Sequence, residues 1–185
     1  MPAMPFPIAE RTEAAAIAPA LEALYAAHGT RIHRFLRDLL GDATLAKDAT
    51  QETFVRAYRK LGTFESGANV VPWLFGIARN VSLELRKARA RTGKWMVSDP
   101  DADAACESSP ERDLLGREAL RVVGAALSQL PEERRAMLLL RLDHGLSYDD
   151  IAVTMGCSLA KVKVEIFRAR EVLRDVMATY QGGER

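Results

Sequence analysis

Cysteine is nearly absent from this chain: its 185 residues include two, Cys106 and Cys157. They form no Cys-x-x-Cys pair and have no histidine nearby, so the spacing offers no zinc site and both thiols read as reduced bystanders. Long apolar runs are missing too, and none approaches the roughly 20 residues that a membrane-spanning helix needs. Met1 to Glu10 carries neither the basic flank nor the apolar block of a secretory signal, so the protein is expected in the cytoplasm without membrane insertion. Strand-like alternation and internal repeats are also lacking. A composition of 48% apolar and 28% charged residues nevertheless has enough material for a globular core. The expected fold is all-α.

The net charge of +1 conceals a separation along the chain. Between Arg79 and Trp95 the bases Arg79, Arg86, Lys87, Arg89, Arg91 and Lys94 face one acid, Glu84. Such a segment suits phosphates. Between Asp99 and Asp113 the balance reverses, with Asp99, Asp101, Asp103, Glu107, Glu111 and Asp113 against Arg112 alone, and Pro100, Ser108, Ser109 and Pro110 interrupt regular structure. This acidic stretch reads as a flexible linker over 93–113 between two small helical domains, 18–92 and 114–180. Residues 1–17, rich in alanine and proline, read as a loose extension, and 181–185 as a tail.

The second domain has the clearest punctuation. After a helix from Pro131 to Leu142, His144-Gly145-Leu146 breaks the pattern, and Ser147 restarts it as a Ser-x-x-Asp capping box with Asp150. Ile151, Ala152 and Met155 form an apolar face, Gly156 ends the helix, and Ser158 caps the next, whose inward positions are Val162, Ile166, Ala169 and Leu173. That is a helix-turn-helix, a motif whose second helix lies in the DNA major groove. Its other faces carry Lys161, Lys163, Arg168, Arg170 and Arg174 against Glu165, Glu171 and Asp175. So small a basic excess fits a weak duplex contact assisted from elsewhere in the chain.

Three helices are expected in the first domain. One stripe runs Leu21, Leu24, Tyr25, His28, Ile32, Phe35, Leu36 and Leu39, ending at Gly41; His28 and His33 have no ligand partners. The next helix, from about Asp42 to Leu61, buries Leu45, Ala46, Ala49, Thr53, Phe54, Ala57 and Leu61 and presents Asp48, Gln51, Glu52, Arg56 and Arg59. Asp48 and Glu52 lie one turn apart, but further metal ligands are lacking, and Glu52 can pair with Arg56. A solvated face or a docking surface for a protein is the better reading. The third helix begins near Pro72 and packs Trp73, Ile77, Val81 and Leu85 inward. Its basic flank of Arg79, Asn80, Arg86 and Lys87 follows the loop Phe64 to Val71. Cations beside aromatics are what single-stranded DNA binding requires.

These segments together resemble the extracytoplasmic-function (ECF) sigma factors of bacterial RNA polymerase, within the sigma-70 family. The resemblance rests on Asp48-Ala49-Thr50-Gln51-Glu52-Thr53-Phe54-Val55-Arg56, then Trp73-Leu74-Phe75-Gly76-Ile77-Ala78-Arg79-Asn80, then Leu130-Pro131 to Arg174, in that order. It covers nearly everything except the tails and the linker. It implies that Asp48, Gln51, Glu52, Phe54 and Arg56 dock on the clamp helices of the largest subunit of core RNA polymerase. It further implies that Phe64, Asn69, Trp73, Arg79, Asn80, Arg86 and Lys87 read and melt the minus-ten element, holding the non-template strand. Ser158, Lys161, Lys163, Val164, Glu165, Phe167, Arg168 and Arg170 would then read the minus-thirty-five element as duplex. A separate anti-sigma factor is the implied inhibitor, and no metal, cofactor or catalytic residue is implied.

The chain departs from the family pattern at Lys161, Val164-Glu165 and Phe167, where many members have threonine, a serine-arginine pair and histidine. Promoter sequence is therefore not transferable, and Glu165 could accept a hydrogen bond from cytosine or repel phosphate. Val71-Pro72 likewise replaces a frequent Arg-Thr pair. The competing function is a stand-alone helix-turn-helix regulator that binds duplex DNA as a dimer, without dependence on Asp48 or Glu52.

Overall fold

A computed structural model describes residues 8–62, 64, 68–92 and 110–182. Among them are seven helices and no strand: α1 (Ile8–Leu40), α2 (Ala43–Leu61), α3 (Val70–Thr92), α4 (Pro110–Gln129), α5 (Glu132–Leu142), α6 (Tyr148–Met155) and α7 (Leu159–Gly182). Two helices begin earlier than composition implies. The run Ala14-Ala15-Ala16 has high helix propensity, and α1 starts at Ile8, inside the stretch read as a loose extension. Pro110, read as a breaker, instead opens α4, where its missing N–H costs no hydrogen bond. The rest of the acidic segment, 93–109, lies outside the described residues.

The first three helices enclose Ile32, Phe35, Leu36 and Leu39 of α1, Ala46, Ala49, Phe54 and Ala57 of α2, and Leu74, Phe75, Ala78 and Val81 of α3. Small alanines on α2 leave room for the larger side chains of α1. Asp42 caps α2 by accepting from the Leu45 amide at 2.9 Å, and its other oxygen takes Arg89 of α3 at 3.0 Å. These two bonds hold the Asp42 carboxyl below its ordinary pKa, the backbone bond contributing most. Thr50, which the apolar stripe did not include, is buried beside Thr53; both hydroxyls return to carbonyls one turn back, at 2.6 and 2.7 Å.

Around the helix-turn-helix the caps form as their residue types dictate. The Ser147 hydroxyl accepts from the Asp150 amide at 3.0 Å and donates to the Asp150 carboxylate at 2.7 Å. Gly156 ends α6 in the left-handed region at φ +63°, where a Cβ would be strained. Ser158 accepts from the Lys161 amide at 3.3 Å at the start of α7. Replacing Ser147 by alanine should cost about 1 kcal/mol in urea unfolding. An unchanged midpoint would show that this cap contributes nothing.

The two halves share one buried cluster. In α5 five consecutive residues, Ala136 to Leu140, are buried, which an ordinary amphipathic surface helix does not do. The reason is position: α5 packs against α1 on one side and α6 and α7 on the other. The seam adds polar contacts. Arg31 donates to the His144 carbonyl at 2.8 Å, Thr154 to the Pro72 carbonyl at 3.1 Å, and Asn69 to Asp150 at 3.3 Å. Arg86 pairs with Glu132 at 3.2 Å, Arg34 with Asp143, and Arg135 reaches the Leu39 carbonyl. The charge separation along the sequence indicated two helical domains without fixing their arrangement; in the structure they close on each other.

Candidate functional site

Helical period places Asp48 and Gln51 on one exposed face of α2, and Val55 and Tyr58 continue it toward the C-terminus. Sequence reasoning missed those last two, although their spacing of four and seven residues from Gln51 was there to read. The face thus changes from polar to apolar along its length, an uncommon arrangement for idle surface.

Two expected members of this face are turned elsewhere. Phe54 is 5% exposed, its ring edge-on to Tyr25 at 4.8 Å, so its side chain packs in the core. Arg56 does not simply project outward. Its Nε donates to Glu52 at 2.7 Å and its terminal nitrogens fork onto Glu84 of α3 at 2.8 and 2.7 Å. The two carboxylates raise the guanidinium pKa, Glu84 more than Glu52, and Arg56 in turn lowers that of Glu84. The bidentate geometry makes Arg56 a brace between α2 and α3 that also orients Glu52.

On α3 the candidate DNA residues divide. Phe64 and Trp73 form a half-exposed aromatic pair with ring centroids 4.8 Å apart, and Trp73 also packs on the core. Asn80 and Lys87 are exposed and Arg79 is half-buried. Asn69 instead caps α3, accepting from the Val71 amide at 3.1 Å while its amide nitrogen donates to Asp150. With Arg86 on Glu132, two of the seven candidates contact the C-terminal half in this closed arrangement. Residues 63 and 65–67 of the intervening loop lie outside the described residues.

On α7, burial of Val162, Ile166 and Ala169 turns Lys163, Val164, Phe167, Arg168 and Arg170 outward. The flank toward α5 is engaged. Lys161 donates to Glu133 at 2.8 Å, which raises the ammonium pKa. Glu165 accepts from Arg134 at 2.7 Å and from Arg168 at 3.2 Å, and Arg134 is the main reason its pKa is lowered. Among the described residues, no three His, Cys, Asp or Glu side chains gather as metal ligands, and no helix is long and apolar enough to cross a membrane.

Comparison with known proteins assigns both halves. Residues 24–92 match the family model of sigma-70 region 2, and residues 120–173 that of sigma-70 region 4. The RNA polymerase sigma-H factor of Pseudomonas aeruginosa is 38% identical over 146 residues, spanning 71% of this chain and 72% of that protein. The ECF RNA polymerase sigma-E factor of Escherichia coli K12 is 35% identical over 136 residues, with 68% and 70% covered. Among solved structures, the sigma factor RpoE from Bartonella quintana, in complex with the anti-sigma factor NepR, is similar at a TM-score of 0.72 and 26% identity, covering 85% of this chain and 96% of that one. CnrH, in complex with the cytosolic domain of CnrY, gives 0.65 and 25%, with 88% and 90% covered.

Proposed function

Because the chain belongs to the sigma-70 family, in its extracytoplasmic-function group, we propose that it is a dissociable subunit that docks on core RNA polymerase and directs it to open promoters. The carrying observation is the order of parts: a region 2 half whose α2 face is free beside the basic flank of α3, followed by a region 4 helix-turn-helix. Polymerase supplies the chemistry, and the chain supplies recognition without a catalytic residue of its own. A stand-alone dimeric regulator is not favoured, since it leaves the region 2 match without a role. A separate anti-sigma factor fits as the inhibitor, because RpoE is held by one in its solved complex.

Docking falls to Asp48, Gln51 and the oriented Glu52, with Val55 and Tyr58 supplying apolar area. Phe64, Trp73, Arg79, Asn80 and Lys87 take the melted strand, joined by Asn69 and Arg86 once the seam parts. Parting is a geometric requirement. Minus-ten and minus-thirty-five elements lie about 25 base pairs apart, roughly 85 Å of duplex, whereas α6 and α3 touch in the closed arrangement through Thr154 and Pro72. Polymerase therefore has to separate the halves. Two modest contacts held at a fixed spacing then act as one strong contact through effective concentration.

The test is fluorescence anisotropy of the full chain against bacterial core polymerase, comparing wild type with Asp48→Ala/Gln51→Ala. Both residues are exposed, so folding should be spared. We expect sub-micromolar wild-type binding, weakened at least tenfold, about 1.4 kcal/mol, in the variant. Equal binding by the two would remove this face from the docking surface. Absence of binding by folded wild type would overturn the function.

A further inference from the structure

We infer that the upstream promoter element is read through thymine methyl groups, by Val164 and Phe167, and that Glu165 is a positioning residue rather than a base reader. The inference rests on the sigma-factor reading above and concerns which side chains of α7 meet the bases. Val164 is 46% and Phe167 63% exposed, on the side of α7 opposite its buried stripe of Val162, Ile166 and Ala169. A valine and a phenylalanine exposed together on a DNA-facing helix would be an unprotected apolar patch unless something apolar covers them. In the major groove the only such group is the thymine C5 methyl. Lys163 and Arg170 on one flank and Arg168 on the other are the cations that would hold the helix against the phosphates.

The polar alternative is closed off by α5. Glu165, the one acidic side chain that could accept from cytosine, keeps 17% side-chain exposure and is clamped by Arg134, with Arg168 on its other oxygen. Turning to a base would leave Arg134 without this partner. Lys161 is drawn to Glu133 of the same helix. Thus α5 withholds Glu165 from the groove, engages Lys161 in an exposed ion pair, and leaves the apolar pair at its centre. Residues 164 and 167 are about 4.5 Å apart along the helix axis, comparable with the 3.4 Å rise of a base pair. They suit neighbouring base pairs, at least one of which is T·A.

The experiment uses holoenzyme assembled from the full chain and bacterial core polymerase to select bound sequences from a randomised duplex library. Each thymine of the enriched upstream element is then replaced singly by deoxyuridine, which removes the methyl and nothing else. We expect one or two positions at which deoxyuridine weakens wild-type holoenzyme binding three- to tenfold. Holoenzyme carrying Phe167→Ala should bind the thymine duplex correspondingly weakly and be indifferent to deoxyuridine at its position. Arg134→Met, which removes the shorter of the two bonds that hold Glu165, should move the selected base toward cytosine at an adjacent step. Tolerance of deoxyuridine throughout, or the same sensitivity in Phe167→Ala, would overturn the methyl reading while leaving the function intact. A library from which no upstream element emerges would instead overturn the sigma-factor reading, and this inference with it.

Discussion

Truncating Phe35 to alanine should lower the free energy of unfolding by about 3–5 kcal/mol, the range for emptying a fully buried aromatic site. Phe35 is completely buried, edge-on to Phe75 of α3 at 5.3 Å and to the His144 ring at 5.7 Å. It thus supports α1 on α3 and the seam with the C-terminal half at once. Neither set of neighbours can collapse into the space without moving the other, so much of the cavity should persist. For a chain of this size the melting temperature should fall by roughly 2–4 °C for each kcal/mol. Phe35→Leu, which keeps most of the volume, should cost far less. A loss below about 1 kcal/mol for the alanine variant would mean that the ring does not join these elements.

Acidification should destabilise the closed arrangement through His144. Its ring sits against Phe35 and Phe75, with Nε2 3.4 Å from Asp143. Burial pushes its pKa down from 6.5 to about 4, with Arg31 and Arg34 lowering it further and Asp143 opposing. A histidine with a depressed folded-state pKa binds its proton more readily when unfolded. Its contribution to stability is therefore complete above pH 6.5 and is lost as pH falls from there toward 4. Between pH 7.5 and 5 the expected loss is about 2 kcal/mol. The readout is the difference between wild type and His144→Phe in urea unfolding across that range, in which shared carboxylate titrations cancel. If the difference does not change with pH, His144 is hydrated in the free protein and the halves stand apart in solution. A slope of the expected size places the closed arrangement in solution before polymerase is added.

The two results answer different parts of one question. Phe35 reports on packing within the first half as well as across the seam, and His144 on the seam alone. A large cost for Phe35→Ala with no pH dependence at His144 would describe a stable region 2 half and an open chain. Both effects together would describe a closed chain that polymerase must part.

Most of the local architecture was legible in the residues. The stripe of α1 from Ile32 to Leu39, the capping box at Ser147 and the left-handed Gly156 depend on spacings of one to four residues, which helical period and backbone chemistry specify directly. The motif order that placed the chain in its family was legible for the same reason. Local signals also carried beyond their limits: Pro110 looked like a breaker because nothing nearby distinguished a first helical turn from a linker.

What the sequence by itself determined, then, is six of the seven helices among the described residues, the caps at Ser147 and Ser158, the helix-turn-helix and the family. Tertiary structure decided which charged side chains are available. Arg56 engages Glu84 across 28 positions, Glu165 engages Arg134 across 31, and Asn69 engages Asp150 across 81. It also decided that α5 is buried between α1 of the first half and α6 and α7 of its own. The period of a helix reports which of its sides faces inward. Which neighbour meets that side, and whose charge answers its own, depends on elements distant in the chain whose approach is settled only when the apolar faces pack together.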